Sequence, residues 1–177
     1  MKPIGIKTYL RRVALLAIAG FFSLQVAGCG EERGTPKAVT TSSTVTATTF
    51  SAVLNGAQEV PPVVSTASGT ATVTVDAART TINVTLNTAG VVNATASHIH
   101  FGVVGMSGGV LFSLFISPGV FPATLTKTLT SADFTPDAVN GIITFADAVN
   151  AILAGNAYIN VHTLANPSGE IRGQVTL

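Results

Sequence analysis

Three histidines stand in the 177-residue chain, and their spacing is its clearest chemical signal. His98 and His100 are separated by one residue in Ser97-His-Ile-His-Phe101. Residues two apart on a strand share a face, so both imidazoles project to one side while Ile99 and Phe101 project to the other. His162 stands in Ala157-Tyr-Ile-Asn-Val-His-Thr163, where the same alternation puts Tyr158, Asn160 and His162 on one face and Ile159, Val161 and Thr163 on the other. Three neutral imidazoles are a donor set for copper or zinc, and Glu170 is the candidate fourth ligand or hydrogen-bond acceptor behind one of them.

Register parity joins the last two strands. Residues directly opposite in an antiparallel pair point to one face. If Ile159 and Val161 share the core face with Ile171 and Val175, paired numbers must sum to an even value. His162 then falls opposite Glu170 or Arg172, and a polar stripe forms from Asn160, His162, Glu170, Arg172 and Gln174. Three readings of this patch stay open. In one, the histidines hydrogen-bond backbone groups and Glu170 and Arg172 pair with loops. In the second, His98, His100, His162 and Glu170 hold a metal ion. The third is catalysis, for which no Ser-His-Asp arrangement is read, and the Met106-Ser-Gly-Gly109 run lacks the lysine of a phosphate loop. Asp76, Asp133, Asp137 and Asp147 fall in turns or near a helix, where capping explains them. No catalytic residue is assigned.

The elements that must position these residues are short and mostly extended. From Val45 onward, alternating runs rich in Thr, Val and Ala are separated by turn residues. The pattern predicts strands over 45–54, 70–76, 81–87, 94–101, 110–117, 123–129, 157–163 and 170–177. Asn55-Gly56 reads as a turn signal, 58–68 with Pro61-Pro62 as an extended loop or edge, and Val110–Ser117 as a strand buried on both faces. Thr144 followed by Phe145, Val149, Ile152 and Leu153 at helical spacing, then Gly155, predicts one short helix. Seven or more such strands imply an all-β, antiparallel β-sandwich or barrel.

The N-terminus sets the address. Lys2, Lys7, Arg11 and Arg12 precede an apolar run from Val13 to Val26, shorter than the ~20 residues that cross a bilayer. Val26-Ala-Gly-Cys29 resembles a bacterial lipobox, and Cys29 is the chain's one cysteine. The resemblance implies that 1–28 is a lipoprotein signal peptide and that Cys29 becomes the lipidated first residue. Residues 29–44 read as a flexible tether and 45–177 as the domain. The expected location is the cell envelope, on the outer membrane in a Gram-negative cell, because Gly30 rather than aspartate follows Cys29. Without the four basic leader residues, five basic and eight acidic residues remain, a net charge of −3. That leaves no basic footprint for nucleic acid.

Three stretches resemble the CHRD domain, named for its repeats in chordin. They are Leu54-Asn-Gly-Ala-Gln-Glu-Val-Pro-Pro62, Ser97-His-Ile-His-Phe-Gly-Val-Val-Gly105, and Ala154 to Thr163 running on through Asn166-Pro-Ser-Gly-Glu-Ile-Arg-Gly-Gln174. The resemblance implies an immunoglobulin-like or superoxide-dismutase-like sandwich. It also implies a non-enzymatic binding or scaffold module with an extracytoplasmic partner, as chordin's domains are tied to antagonism of secreted growth factors. The alternative is a copper- or zinc-binding module built on His98, His100 and His162. His98-Ile-His-Phe-Gly102 is similar to a copper-ligand strand of copper-zinc superoxide dismutase. The further histidines, zinc loop and cysteine pair of that enzyme are missing, so dismutase activity is not expected.

Overall fold

The computed structural model describes residues 46–177. The leader, Cys29, the tether and Val45 lie outside the described residues. Eight strands are present: β1 (Thr48–Asn55), β2 (Ser68–Val75), β3 (Ile82–Ala89), β4 (Ala94–Phe101), β5 (Val110–Ile116), β6 (Thr124–Leu129), β7 (Ala157–Thr163) and β8 (Ile171–Gln174), with one helix, α1 (Phe145–Leu153). They form one antiparallel sheet in the order β5-β4-β7-β8-β1-β2-β3-β6. The all-β class with one short helix is therefore as the sequence implies.

The sheet folds at its middle. β1 pairs with β2 over eight positions but meets β8 at one ladder position, Asn55 opposite Arg172, with an added bridge between Ser51 and Thr176. Two four-stranded halves thus meet along a short seam and face each other across the core, as in a sandwich. The outer edges also approach, since Lys127 on β6 donates from Nζ to the Ser113 carbonyl on β5 at 2.7 Å. The result is a nearly closed, barrel-like sheet.

Alternation fills the interior. Phe50, Ala52 and Leu54 of β1, Val73 and Val75 of β2, and Ile82, Val84 and Leu86 of β3 come from one half. Ile99, Ile159, Val161 and Ile171 come from the other, and all four are fully buried. The helix closes the core with Ala148, Val149, Ala151 and Ile152. It starts at a capping box: Thr144 Oγ1 accepts from the Asp147 amide, and the Thr144 amide donates back to Asp147. It stops before Gly155, whose φ of +74° suits a residue without a Cβ.

Three local expectations change. Asn55-Gly56 does not make a two-residue hairpin turn; the Asn55 side chain instead caps a short 3₁₀ turn over Gly56–Gln58 by accepting from the Gln58 amide. β8 spans four residues rather than eight; past it the Val175 amide still donates to the Ala157 carbonyl of β7 at 2.9 Å, and Thr176 then bridges to Ser51 of β1. β5 is an edge strand: Leu111 and Phe112 are covered, the latter by Phe134 and Phe145, while Ile116 stands exposed. The four aspartates set aside as caps behave so, with Asp76 taking the Thr80 and Thr81 amides and Asp133 and Asp137 capping short 3₁₀ turns.

Candidate metal centre

The even-sum register holds across the two strands that carry the site. Tyr158 lies opposite Gln174, Asn160 opposite Arg172 and Val161 opposite Ile171. Glu170 lies one step beyond β8, donating its amide to the Val161 carbonyl at 2.8 Å. On the other side of β7, β4 places His100 opposite Tyr158, His98 opposite Asn160 and Ala96 opposite His162. His98 and His162 are therefore diagonal neighbours, and all three histidines share the face of this half-sheet that points away from the core.

The rings meet. Centroids are 5.4 Å apart for His98 and His100, 5.1 Å for His98 and His162, and 6.2 Å for His100 and His162. Each histidine offers one nitrogen to a group whose members all lie within 4.8 Å of one another. Hydrogen bonding fixes which nitrogen is free. His100 Nδ1 donates to the Gly108 carbonyl at 3.0 Å and His162 Nδ1 to the Pro167 carbonyl at 2.9 Å. A carbonyl only accepts, so both Nδ1 atoms carry the proton and both Nε2 atoms keep the lone pair. The buried ring nitrogens left without a partner are His98 Nδ1, His100 Nε2 and His162 Nε2. Burial pushes all three rings below the ordinary histidine range, His98 to about 4, with neighbouring imidazoles adding to the effect at His98 and His100. Neutral imidazoles, oriented by backbone acceptors behind them, are the form that binds metal.

The remaining members of the polar stripe divide. Arg172, Gln174 and Tyr158 pin the β4–β5 loop, residues 102–109, over the face. Arg172 Nη2 donates to the Val103 and Met106 carbonyls at 3.2 and 2.8 Å. Gln174 Nε2 donates to the Gly102 and Gly155 carbonyls, each at 2.8 Å. The Arg172 guanidinium lies 3.5 Å from the Tyr158 ring centre, and that ring stacks on His100 at 4.9 Å. Asn160 is buried between His98 and Arg172 on the neighbouring strands, its Oδ1 without a donor. Glu170 stands outside the histidine group; its Oε1 accepts from Ser65 Oγ at 2.7 Å, and the acceptors behind His100 and His162 are backbone carbonyls.

Sequence reasoning missed Glu59. It is 7% exposed, its Oε1 has no donor, and its carboxyl lies against Gly169 where a Cβ would otherwise stand. Burial raises its pKa to about 7, outweighing the pull of Arg172 and of the Val60 amide. The signal was present in Gln58-Glu-Val-Pro-Pro62, an acid in an otherwise apolar turn, but the loop that buries it follows β7. Ser107 sits at the centre of Gly105-Met-Ser-Gly-Gly109, which spells Gly-x-Ser-x-Gly. The residue lies in a loop between two strands rather than at a strand-to-helix turn, so it forms no nucleophile elbow.

An antiparallel β-sandwich whose outer face gathers three histidines under a pinned loop defines a class of small all-β domain with a candidate metal face. Comparison with protein families makes the class specific: residues 50–175 match the CHRD domain, and the chain belongs to that family. No curated protein and no solved structure matches it.

Proposed function

We propose that this protein is a lipid-anchored, non-enzymatic binding module of the cell envelope, and that its ligand is a copper or zinc ion held by His98 Nδ1, His100 Nε2 and His162 Nε2. The observation that carries the reading is that the three histidines each bring a nitrogen within 4.8 Å of the others' and that each has a buried ring nitrogen with no hydrogen-bond partner. Buried polar atoms are otherwise almost always hydrogen-bonded, so three orphans on one face call for a common ligand. Imidazole suits both metals. The anchor and the address rest on the leader and Cys29.

Melting curves with and without Cu²⁺ or Zn²⁺ test the site. At a hundred times its dissociation constant, a metal adds about 2.7 kcal/mol, which for a domain of this size is a rise of roughly 5–10 °C in Tm. His98→Leu removes the cluster histidine whose ring has no bond to a backbone carbonyl, while His100 and His162 keep theirs. In chelator this variant is expected to melt at or above the wild type, because a buried unsatisfied polar atom has been replaced by an apolar side chain. It is expected to lose the metal-dependent rise. A wild type indifferent to both metals, or a variant that still responds, overturns the assignment. A marked fall in the variant's metal-free stability supports the purely structural reading instead.

A further inference from the structure

With Glu170 outside the histidine group, the polar residue that the register sets among the three rings is Asn160. It shares the outer face of β7 with Tyr158 and His162 and lies opposite His98 on β4 and Arg172 on β8. Its backbone is fixed from both sides by the β7 ladders, and its carbonyl accepts from Ser97 Oγ at 2.9 Å. The side chain is 3% exposed, and its Oδ1 is buried without a hydrogen-bond partner. That side chain reaches the His100 ring and favours the ring's charged form, which an amide oxygen does and an amide nitrogen does not. The neutral ring has no proton to give in return. Its Nδ1 already donates to the Gly108 carbonyl, and its Nε2 carries a lone pair. An acceptor oxygen is therefore held against a ring that can only accept.

We propose that Asn160 Oδ1 is the fourth ligand of the ion held by His98, His100 and His162, and that it selects a divalent ion, Zn²⁺ or Cu²⁺, over Cu⁺. The proposal deepens the three-histidine reading and rests on it. A cation between the oxygen and the rings turns opposed lone pairs into a common donor set, and it satisfies a buried acceptor that otherwise costs stability. Three imidazole nitrogens and one amide oxygen hold no sulfur, the soft donor that favours Cu⁺. Burial of these atoms fits a site closed by four protein ligands, as structural zinc sites are, rather than one that keeps a water for catalysis. All four ligands are neutral, so the ion keeps its full charge on a face that also carries Arg172. An aspartate at position 160 would supply the same oxygen with a compensating charge.

The test is a Zn²⁺ titration of the full-length protein carrying side-chain ¹⁵N-asparagine, followed by NMR. Asn160→Asp assigns the Asn160 amide signal by its loss, and Zn²⁺ is expected to move that signal saturably in the wild type. Affinities come from competition with a chromophoric chelator, on variants shown to be folded by metal-free melting curves. Asn160→Ala should bind Zn²⁺ about tenfold more weakly, or worse, since even residues behind the ligands are worth that much. Asn160→Asp should bind it at least as tightly as the wild type, and Cu⁺ affinity should be nearly equal in all three. Zn²⁺ binding that leaves the Asn160 signal unmoved overturns the fourth ligand. So does an Asn160→Ala variant that binds Zn²⁺ as tightly as the wild type, or more tightly, as it would if the amide nitrogen instead capped His100. A Cu⁺ affinity that falls as far as the Zn²⁺ affinity overturns the selection. A wild type that binds Cu⁺ alone overturns this proposal and leaves the three-histidine site standing; one that binds no ion overturns both.

Discussion

At the scale of single residues, the domain keeps titratable groups whose shifts oppose each other. His98 is held near 4, and His100 and His162 are also lowered, against an unfolded value of about 6.5. Between about pH 4 and 6.5 the unfolded chain therefore binds more protons at these positions. Stability rises with pH across that window and is lost as pH falls. Glu59 works the other way. Its folded pKa of about 7 against 4.5 means the native state holds the proton more tightly. Its contribution is complete at low pH and lost as pH rises through 7. In chelator, the wild type is expected to show a shallow pH dependence between about pH 4.5 and 6.5, and Glu59→Gln a steeper rise, by urea denaturation. Equal slopes would mean that Glu59 titrates as it does in the unfolded chain. The histidine trio was legible in sequence because period-two alternation and an even-sum register are local rules. Glu59 was not, since its burial comes from Gly169 and the loop before it, more than a hundred residues away.

At the scale of elements, the 102–109 loop is the part least explained by its own sequence. Glycines and exposed Val103, Val104 and Met106 give it no packing of its own, yet the side chains of Arg172, Gln174, Tyr158 and His100 hold its backbone. Arg172 does most, joining two carbonyls through one nitrogen while its plane covers Tyr158. Lysine offers a point charge without that plane. Arg172→Lys is expected to cost about 2 kcal/mol, the scale of hydrogen bonds to a charged group. Amide exchange should speed up at Val103–Gly109 while the β2–β3 hairpin keeps its protection. Uniform loss of protection would show that Arg172 supports the whole fold rather than this loop. The helix and hairpin strands were readable because Thr144, Asp147, Gly155 and the alternating Thr-Val runs carry their signals within a few residues. The fate of Asn55-Gly56 was not, because a cap and a hairpin turn favour the same residue types, and the 59–67 loop that follows decides between them.

At the scale of the molecule, the site depends on how the two half-sheets join. Alternation identified both core faces but could not tell where a continuous sheet folds, because one bridge position leaves no compositional trace. The join falls at Gly173. A Cβ there would stand 2.7 Å from the Val53 carbonyl oxygen and 3.0 Å from Leu54 Cγ, so β8 comes this close to β1 only without a side chain. Its neighbours on β8, Arg172 and Gln174, project to the opposite side, toward the loop over the histidines. The close approach that closes the core thus also sets the height of the residues that pin the site. Gly173→Ala is expected to cost about 1–3 kcal/mol, as overpacking does. The urea midpoint should fall with little change in slope. Val64→Ala, at a fully exposed loop position, should stay within about 0.5 kcal/mol of the wild type. Because the pinned loop supplies the Gly108 carbonyl that orients His100, Gly173→Ala should also shrink the metal-dependent rise in Tm. A variant that loses stability but keeps the full metal response would show that the seam and the histidine face are independent.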